Sequence, residues 1–296
     1  MDSARRAVAR YQTWWLRLAF LTVVAGELGG SLGPAGSLLA VVFVAMFFVR
    51  APRQDHRSPV HTQPPVLGRW VPINSPGSKV PSHGIRAYGQ AFAIDILHPR
   101  SMPRPPAPGW GLSQRPPEAY SCFGEPVHAM AAGTVVRASD GLRDHRTRST
   151  WPGLIYMLTI EAAAREVLGA GFVVGNHVVI DHGDGVYSAY AHLQQGSVTV
   201  SADDQVTAGE QIALVGNSGN TSEPHLHVQL MDHSRFTAAA GLPFRWENIR
   251  QRGKETDESW SHKPVSRQIT PGLPADGQVF VSASRPPGVP TRTEPS

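Results

Sequence analysis

A single cysteine, Cys122, stands in a chain of 296 residues, so no disulfide can form within it. No Cys/His partnering context accompanies Cys122, which therefore reads as a small buried residue rather than a nucleophile. Lysine is nearly as scarce. Lys79, Lys254 and Lys263 are the only three, and the net charge of +4 rests almost wholly on arginine. With no lysine-and-aromatic pattern, nothing points to nucleic acid. Charged residues make up 17% of the chain. The length allows one or two domains.

What the chain does have is histidine, 13 in all, in informative places. Gly216-Asn217-Ser218-Gly219-Asn220-Thr221-Ser222-Glu223 runs into Pro224-His225-Leu226-His227 and then Val228-Gln229-Leu230. The apolar flank predicts a strand, on which His225 and His227 share one face and Leu226 takes the other. Paired imidazoles on one face suit zinc, which takes neutral imidazole nitrogen. Alone, the pattern also suits a plain surface strand. Residues 176–193, NHVVIDHGDGVYSAYAHL, read as a hairpin turning at His182-Gly183-Asp184-Gly185, with His192 ending the return strand. Val198 and Val200, the run 206–216 and the run 124–136 add further short strands joined by glycine turns. From about Glu125 to Leu230 the chain is therefore mostly antiparallel β, interrupted once.

PVHAMAAGTVV, GNHVVIDHGDGVYSAYAHL and VTAGEQIALVGNSGNTSEPHLHVQL, in that order, resemble the LytM/lysostaphin-type zinc endopeptidases, which cut peptidoglycan cross-links and stem peptides. The resemblance covers roughly Ile73 to Trp246. It implies a mainly β fold, a compact antiparallel sheet or barrel-like domain with a groove and one zinc per chain. It also implies metal ligation by an early His, an Asp and the second His of His-x-His. Carried over, His227 and Asp95, the latter in Ala93-Ile94-Asp95-Ile96, are metal ligands, and His225 and His192 are the two catalytic histidines. The first ligand departs from the pattern. Ala91 stands where the family usually has it, and the nearest upstream candidate is His83, twelve positions before Asp95. Two imidazoles and a carboxylate leave one position open for water. Such a centre acidifies that water and polarises a peptide carbonyl. His225 is assigned the base role and His192 the oxyanion or acid role, with the swap open.

The first fifty residues form a separate unit. Arg5, Arg6, Arg10 and Arg17 precede a nearly unbroken apolar run that ends at Arg50. Either one transmembrane span covers about 30–49, or two short spans form a hairpin broken at Gly33-Pro34. A single span with the arginines inside would place the enzyme outside; a hairpin with its N-terminus inside would leave it in the cytoplasm. Peptidoglycan as partner favours the outside. Residues 51–69 read as a Pro/Arg-rich linker with a reach of roughly 25 Å, 70–250 as the peptidase domain with a helical insertion at about 139–172, and 251–296 as a polar, disordered tail. Within the insertion, 154–168 is the helical candidate, expected to pack on the β domain. Residues 103–117 read as a proline-rich loop near the site.

Two other functions compete. A degenerate relative that binds wall or activates another hydrolase is supported by Ala91. A lipoyl- or biotinyl-type carrier resembles the same short-strand rhythm but needs an exposed lysine, and none lies between Lys79 and Lys254. The remaining histidines have structural readings: His182 in a solvated turn, His177 and His128 in strands, and His145 at a charged corner rather than a substrate rim.

Overall fold

The computed structural model describes residues 2–99, 108–257 and 272–283. Three helices open the chain: α1 (Asp2–Arg10), α2 (Gln12–Leu28) and α3 (Gly33–Phe47). The chain reverses between α2 and α3. The Gly29 amide donates to the Ala25 carbonyl, Gly30 takes a φ of 91°, and Pro34 sits in the first turn of α3, where its missing N–H costs nothing. Trp15 stacks on Phe43 across the resulting hairpin, with ring centroids 6.1 Å apart. Of the two expected arrangements, a single span over about 30–49 and a hairpin broken at Gly33-Pro34, the structure has a helical hairpin whose second helix starts at Gly33. Its helices, 17 and 15 residues long, extend about 25 and 22 Å at 1.5 Å per residue. No helix among the described residues is long and apolar enough to cross a membrane.

The strands are β1 (Val60–Thr62), β2 (Gly68–Ile73), β3 (Ile94–Leu97), β4 (Pro126–His128), β5 (Gly133–Ser139), β6 (Asn176–Asp181), β7 (Tyr187–Leu193), β8 (Gln205–Val206), β9 (Gln211–Leu214), β10 (Leu226–Met231), β11 (Phe244–Trp246), β12 (Ile249–Thr256) and β13 (Gln278–Ser282). Nine of them form one antiparallel sheet in the order β12-β13-β2-β3-β10-β7-β6-β5-β8, while β1 pairs with β11 and β4 with β9. The order runs from edge to edge without closing, so the large sheet is open rather than barrel-like. Leu226, Val228 and Leu230 of β10 point into the main core with Ile94, Ile96, Tyr190 and Leu193. The opposite face of β10 carries His227 and Gln229, which are also buried. The apolar/polar alternation of 226–230 is kept, but the polar face is buried as well because His227 and Gln229 turn into the histidine cluster rather than to solvent.

The segments flanking the domain carry more structure than their composition suggests. Within 51–69, β1 pairs in parallel with β11, and Pro52, Pro64, Pro65 and Val66 are buried. The expected polar tail contains β12 to Thr256 and β13, whose Val279 and Phe280 are core residues and which pairs with β2. The rest of that expectation falls on 258–271 and 284–296, outside the described residues, as do residues 103–107 of the proline-rich loop.

The insertion forms α4 (Trp151–Tyr156), a π-helical turn (Met157–Glu161), α5 (Ala162–Leu168) and α6 (Ala170–Val174). Thr150 caps α4 by accepting from the Gly153 amide. Glu161 is gripped by Arg148 at 2.8 Å and Arg165 at 2.7 Å. Met157 is buried, but Ile155, Leu158 and Ile160 face outward, Leu158 being 67% exposed. The expectation that this helix packs its apolar residues on the β domain is thus corrected. Its contacts are shared between the N-terminal hairpin and the β domain: Gln12 and the Tyr88 hydroxyl both donate to Glu166, the Arg17 guanidinium donates to the Val167 and Leu168 carbonyls, and Val174 packs with Val179 and Ala189.

Candidate metal centre

Three strands and two loops converge on one buried cluster. Asp95 on β3 lies directly opposite His227 on β10, and His227 lies opposite Ala191 on β7, one residue before His192. Cross-strand neighbours on one face stand about 5 Å apart, so this register alone brings Asp95 and His227 together. His83 arrives from the loop before the 3₁₀ turn Ala87–Phe92. Its Nε2 lies 2.9 Å from Asp95 Oδ2, and His227 Nδ1 lies 2.8 Å from Asp95 Oδ1. One ligand atom from each of His83, Asp95 and His227 falls within 4.8 Å of the others. The two remaining histidines adjoin this group. His225 Nε2 is 3.6 Å from Asp95 Oδ1, and the His192 ring centroid is 4.9 Å from that of His225 and 5.8 Å from that of His227. The five residues singled out in the sequence are thereby brought together.

Each imidazole is oriented by a second contact. His83 Nδ1 meets the Ser82 hydroxyl at 3.0 Å. His227 Nε2 meets Gln229 Oε1 at 3.0 Å, and the Gln229 amide nitrogen donates in turn to the Tyr88 carbonyl at 2.7 Å. That donation fixes which end of the Gln229 amide faces His227, so His227 Nε2 donates to Gln229 and Nδ1 is the atom that faces Asp95 and that a metal would take. His192 Nδ1 donates to the Ser218 carbonyl and His225 Nδ1 to the Glu223 carbonyl, both at 2.8 Å. In its neutral form each therefore presents an unprotonated Nε2. Asn74 completes the shell by donating to Asp95 Oδ2 at 3.0 Å.

The electrostatics follow from burial. Asp95 is 4% exposed. Burial alone would push its carboxyl up, but the charges of His83 and His225 and hydrogen bonds from His227 and His83 hold it well below the usual carboxylate range. Burial pushes His192 well below its ordinary value, and neighbouring His225 and His227 push the same way, so it stays neutral at pH 7. For His227 burial pulls down, but the bond to Asp95, the Asp95 charge and the bond to Gln229 together raise it. A buried carboxylate with one imidazole nitrogen 2.8 Å and another 2.9 Å from its oxygens is the donor set that a divalent borderline metal takes.

The loop that carries the Ser218 carbonyl is itself clamped. Asp144 accepts from the Asn217 and Gln195 amides, Asn217 donates to the His145 carbonyl, and His145 Nε2 meets the Gly219 carbonyl at 2.9 Å. Close packing demands glycine on both sides of this loop: a Cβ at Gly216 would lie 2.2 Å from the Gln194 nitrogen, and one at Gly175 would lie 2.4 Å from the Ser218 carbonyl oxygen. His192 is held at a φ of 60°, a conformation that costs a non-glycine residue about 1–3 kcal/mol and that the clamped loop maintains.

The family comparison falls on this same region. The family model for peptidase family M23 matches residues 158–238, a span that includes His192, His225 and His227. The chain carries a peptidase family M23 domain. The cell division protein DipM of Caulobacter vibrioides is 40% identical over 115 residues, covering 38% of this chain and 17% of DipM. The peptidoglycan DD-endopeptidase ShyA of Vibrio cholerae is 39% identical over 61 residues, 21% of this chain and 14% of ShyA. The DD-carboxypeptidase/endopeptidase Mpg of Neisseria meningitidis is 34% identical over 106 residues, 32% of this chain and 24% of Mpg. The chain thus spans less than a quarter of the length of each of these relatives. Among solved structures, the catalytic domain of lysostaphin from Staphylococcus simulans is 19% identical, with a TM-score of 0.30 over 53% of this chain and 86% of that one.

Several residues of the M23 domain's centre lay beyond sequence reasoning. Gln229 was within reach, being two positions after His227 on a strand and hence on its face. Asn74, Ser218 and Asp144 carried no such signal. The other histidines hold structural places. His145 is buried at the insertion corner, and His182 bridges the Ala132 carbonyl and the Ser188 hydroxyl. Cys122 donates to the Pro224 carbonyl just before His225, and burial pushes its thiol up to about 12.

Proposed function

We propose that this chain is a zinc-dependent endopeptidase that hydrolyses peptide bonds in peptidoglycan stem peptides or cross-links. The observation that carries the reading is the convergence of His83, Asp95 and His227 beside two histidines whose Nε2 atoms are free. The residues fit one zinc, held by His83, Asp95 and His227. When bound, that ion supplies Lewis acidity towards a peptide carbonyl and acidifies water.

The chain's own groups do the rest. His225, with Nδ1–H fixed on the Glu223 carbonyl, accepts a proton from water at Nε2 and returns it to the leaving amine. His192, neutral and fixed on Ser218, becomes a donor only after taking a proton, which is favoured as negative charge develops on the carbonyl oxygen. Asn74 and Gln229 hold the orientations of Asp95 and His227. The degenerate alternative rested on Ala91, which is buried in the core; the arrival of His83 twelve positions earlier supports a complete ligand set.

The membrane reading is part of the same proposal. The α2–α3 hairpin is apolar on all sides, with Phe20, Leu21, Leu38, Leu39 and Val41 exposed, and it holds the chain at a membrane with the M23 domain facing the wall. The test is digestion of purified sacculi by the full chain in detergent, read as newly released amino groups and muropeptide masses. Wild type releases cross-link or stem-peptide fragments and His227→Ala releases none. Intact muropeptides after prolonged digestion with the zinc-loaded wild type would overturn the peptidase reading.

A further inference from the structure

At the base of the hairpin, where α1, the end of α3 and the loop after His83 meet, Arg5, Arg50, Arg53 and Arg86 line one cavity of about 420 Å³. Four guanidiniums around one space repel each other unless an anion joins them. Asp55 takes Arg86 in a two-pronged pair at 2.6 and 2.7 Å. Among the described residues, neither Arg5, Arg50 nor Arg53 has a carboxylate within ion-pair distance. The Arg50 guanidinium rests on the Phe47 and Val49 carbonyls, and burial pushes it below its ordinary value, with Tyr88 and Glu166 only partly opposing. A half-buried cation in this state gains most from an incoming anion, and the guanidinium fork matches phosphate oxygens in pairs.

The rest of the lining says what carries that phosphate. Phe48, Val49 and Ala51 complete the wall, and Phe48 is 64% exposed. From Phe48 the exposed side chains of Val44, Val42, Val41, Leu39 and Leu38 continue along α3. A cationic pocket opening onto an apolar helical track is complementary to an amphiphile with an anionic head and hydrocarbon tails. A free phosphate uses only the first half of that surface.

We propose that the Arg5/Arg50/Arg53/Arg86 cavity binds the phosphate headgroup of an anionic lipid, with the acyl chains lying along α3. This rests on the membrane reading of the hairpin. It adds that the M23 domain is seated against the headgroup layer rather than tethered at a distance. Anionic surfaces attract arginine by about 1 kcal/mol per residue, falling off within a Debye length, so a pocket of four at the hairpin base places the attraction where the headgroups are.

The experiment uses the full chain in a neutral detergent, with phosphatidylglycerol, phosphatidylcholine or inorganic phosphate added at equal concentration. Phosphatidylglycerol is expected to raise the thermal midpoint by about 5 °C and to be retained at one molecule per chain in native mass spectra. Phosphatidylcholine and inorganic phosphate are expected to do neither. The exposed pair Arg5→Gln and Arg53→Gln, singly and together, should keep the lipid-free midpoint and lose the shift. An equal response to both lipids in wild type overturns the site, as does a double variant that keeps the full shift. An equal response to inorganic phosphate shows a site for soluble anions and overturns the lipid assignment. Flotation with phosphatidylcholine vesicles reads the hairpin separately. Flotation without a phosphatidylglycerol shift discards the pocket and keeps the anchor, whereas a chain that floats with no vesicle discards the anchor.

Discussion

Gln229→Met should weaken zinc binding without touching a ligand. Gln229 is 2% exposed, and its Oε1 accepts from His227 Nε2 at 3.0 Å while its Nε2 donates to the Tyr88 carbonyl at 2.7 Å. Methionine keeps the length and flexibility of the side chain but offers no comparable acceptor. His227 then loses the contact that holds its proton on Nε2. The competing tautomer, with Nδ1–H donating to Asp95 Oδ1 2.8 Å away, must be given up before Nδ1 can bind a metal. Loss of such an outer partner typically costs 10–100-fold in metal affinity, about 1.4–2.7 kcal/mol. The orphaned Tyr88 carbonyl adds about 1–3 kcal/mol of lost fold stability, a separate effect seen in the melting of the metal-free protein. The assay is zinc competition against a chromophoric chelator at pH 7. Gln229→Glu is the control: it keeps an acceptor for His227 and should retain tight zinc while losing stability at Tyr88. A zinc Kd for Gln229→Met within twofold of wild type would refute the argument that this bond sets the His227 tautomer.

His225→Ala and His192→Ala should each lower peptide hydrolysis by about 10²-fold or more with zinc still bound; zinc loss in both, measured by metal analysis, would show them to be ligands. His177 gives a pH prediction. Burial pushes it down to about 4, its Nδ1 donates to the Gly175 carbonyl, and its Nε2 has no partner. The unfolded chain takes up this proton near pH 6.5 and the folded chain not until about pH 4, so stability falls as pH drops through that window and levels below it. The contribution is roughly 3 kcal/mol, and His177→Phe should lose that much less stability than wild type between pH 7 and 4 in denaturant melts; parallel curves would place the pH dependence elsewhere. Protease added to intact spheroplasts should digest the M23 domain, whereas digestion only after lysis would place it in the cytoplasm and remove its proposed substrate.

What was legible in the sequence were the features set by local pattern. Alternation put His225 and His227 on one face, and the glycine-rich turn at 182–185 appears where Gly183, Asp184 and Gly185 all take positive φ. The register that sets Asp95 against His227 is a tertiary fact, but it joins two strands that were each recognisable. What was hidden depends on contacts across the chain. Proline suggested a linker for 51–69, yet Pro64, Pro65 and Val66 bury themselves because β1 finds β11, Val60 pairing with Phe244 far along the chain. A charged, polar stretch hid β13, whose two core residues are too few to stand out. Residues 154–168 suggested packing on the β domain, yet Leu158 and Ile160 are exposed, because helical spacing reports an apolar stripe and not which neighbour covers it.

The docking of α1 decides more about topology than the charge count does. Arg6 pairs with Asp232 at 2.7 Å and reaches the Ala238 carbonyl, and Thr237 donates to the Arg10 carbonyl. The N-terminal helix and the M23 domain must therefore lie on the same side of any bilayer that takes up the hairpin. A single crossing with the arginines on one side and the enzyme on the other would break all three contacts and leave Asp232 without its guanidinium. Counting arginines towards the cytoplasm treats them as free charges. Here Arg6 is held by the domain and Arg17 by the end of α5, so both serve the fold. A wall substrate then requires the N-terminus and the M23 domain to be outside together. The same contacts leave little slack between hairpin and domain, so under the proposed membrane seating the reach of the M23 domain would be set by the hairpin rather than by residues 51–69.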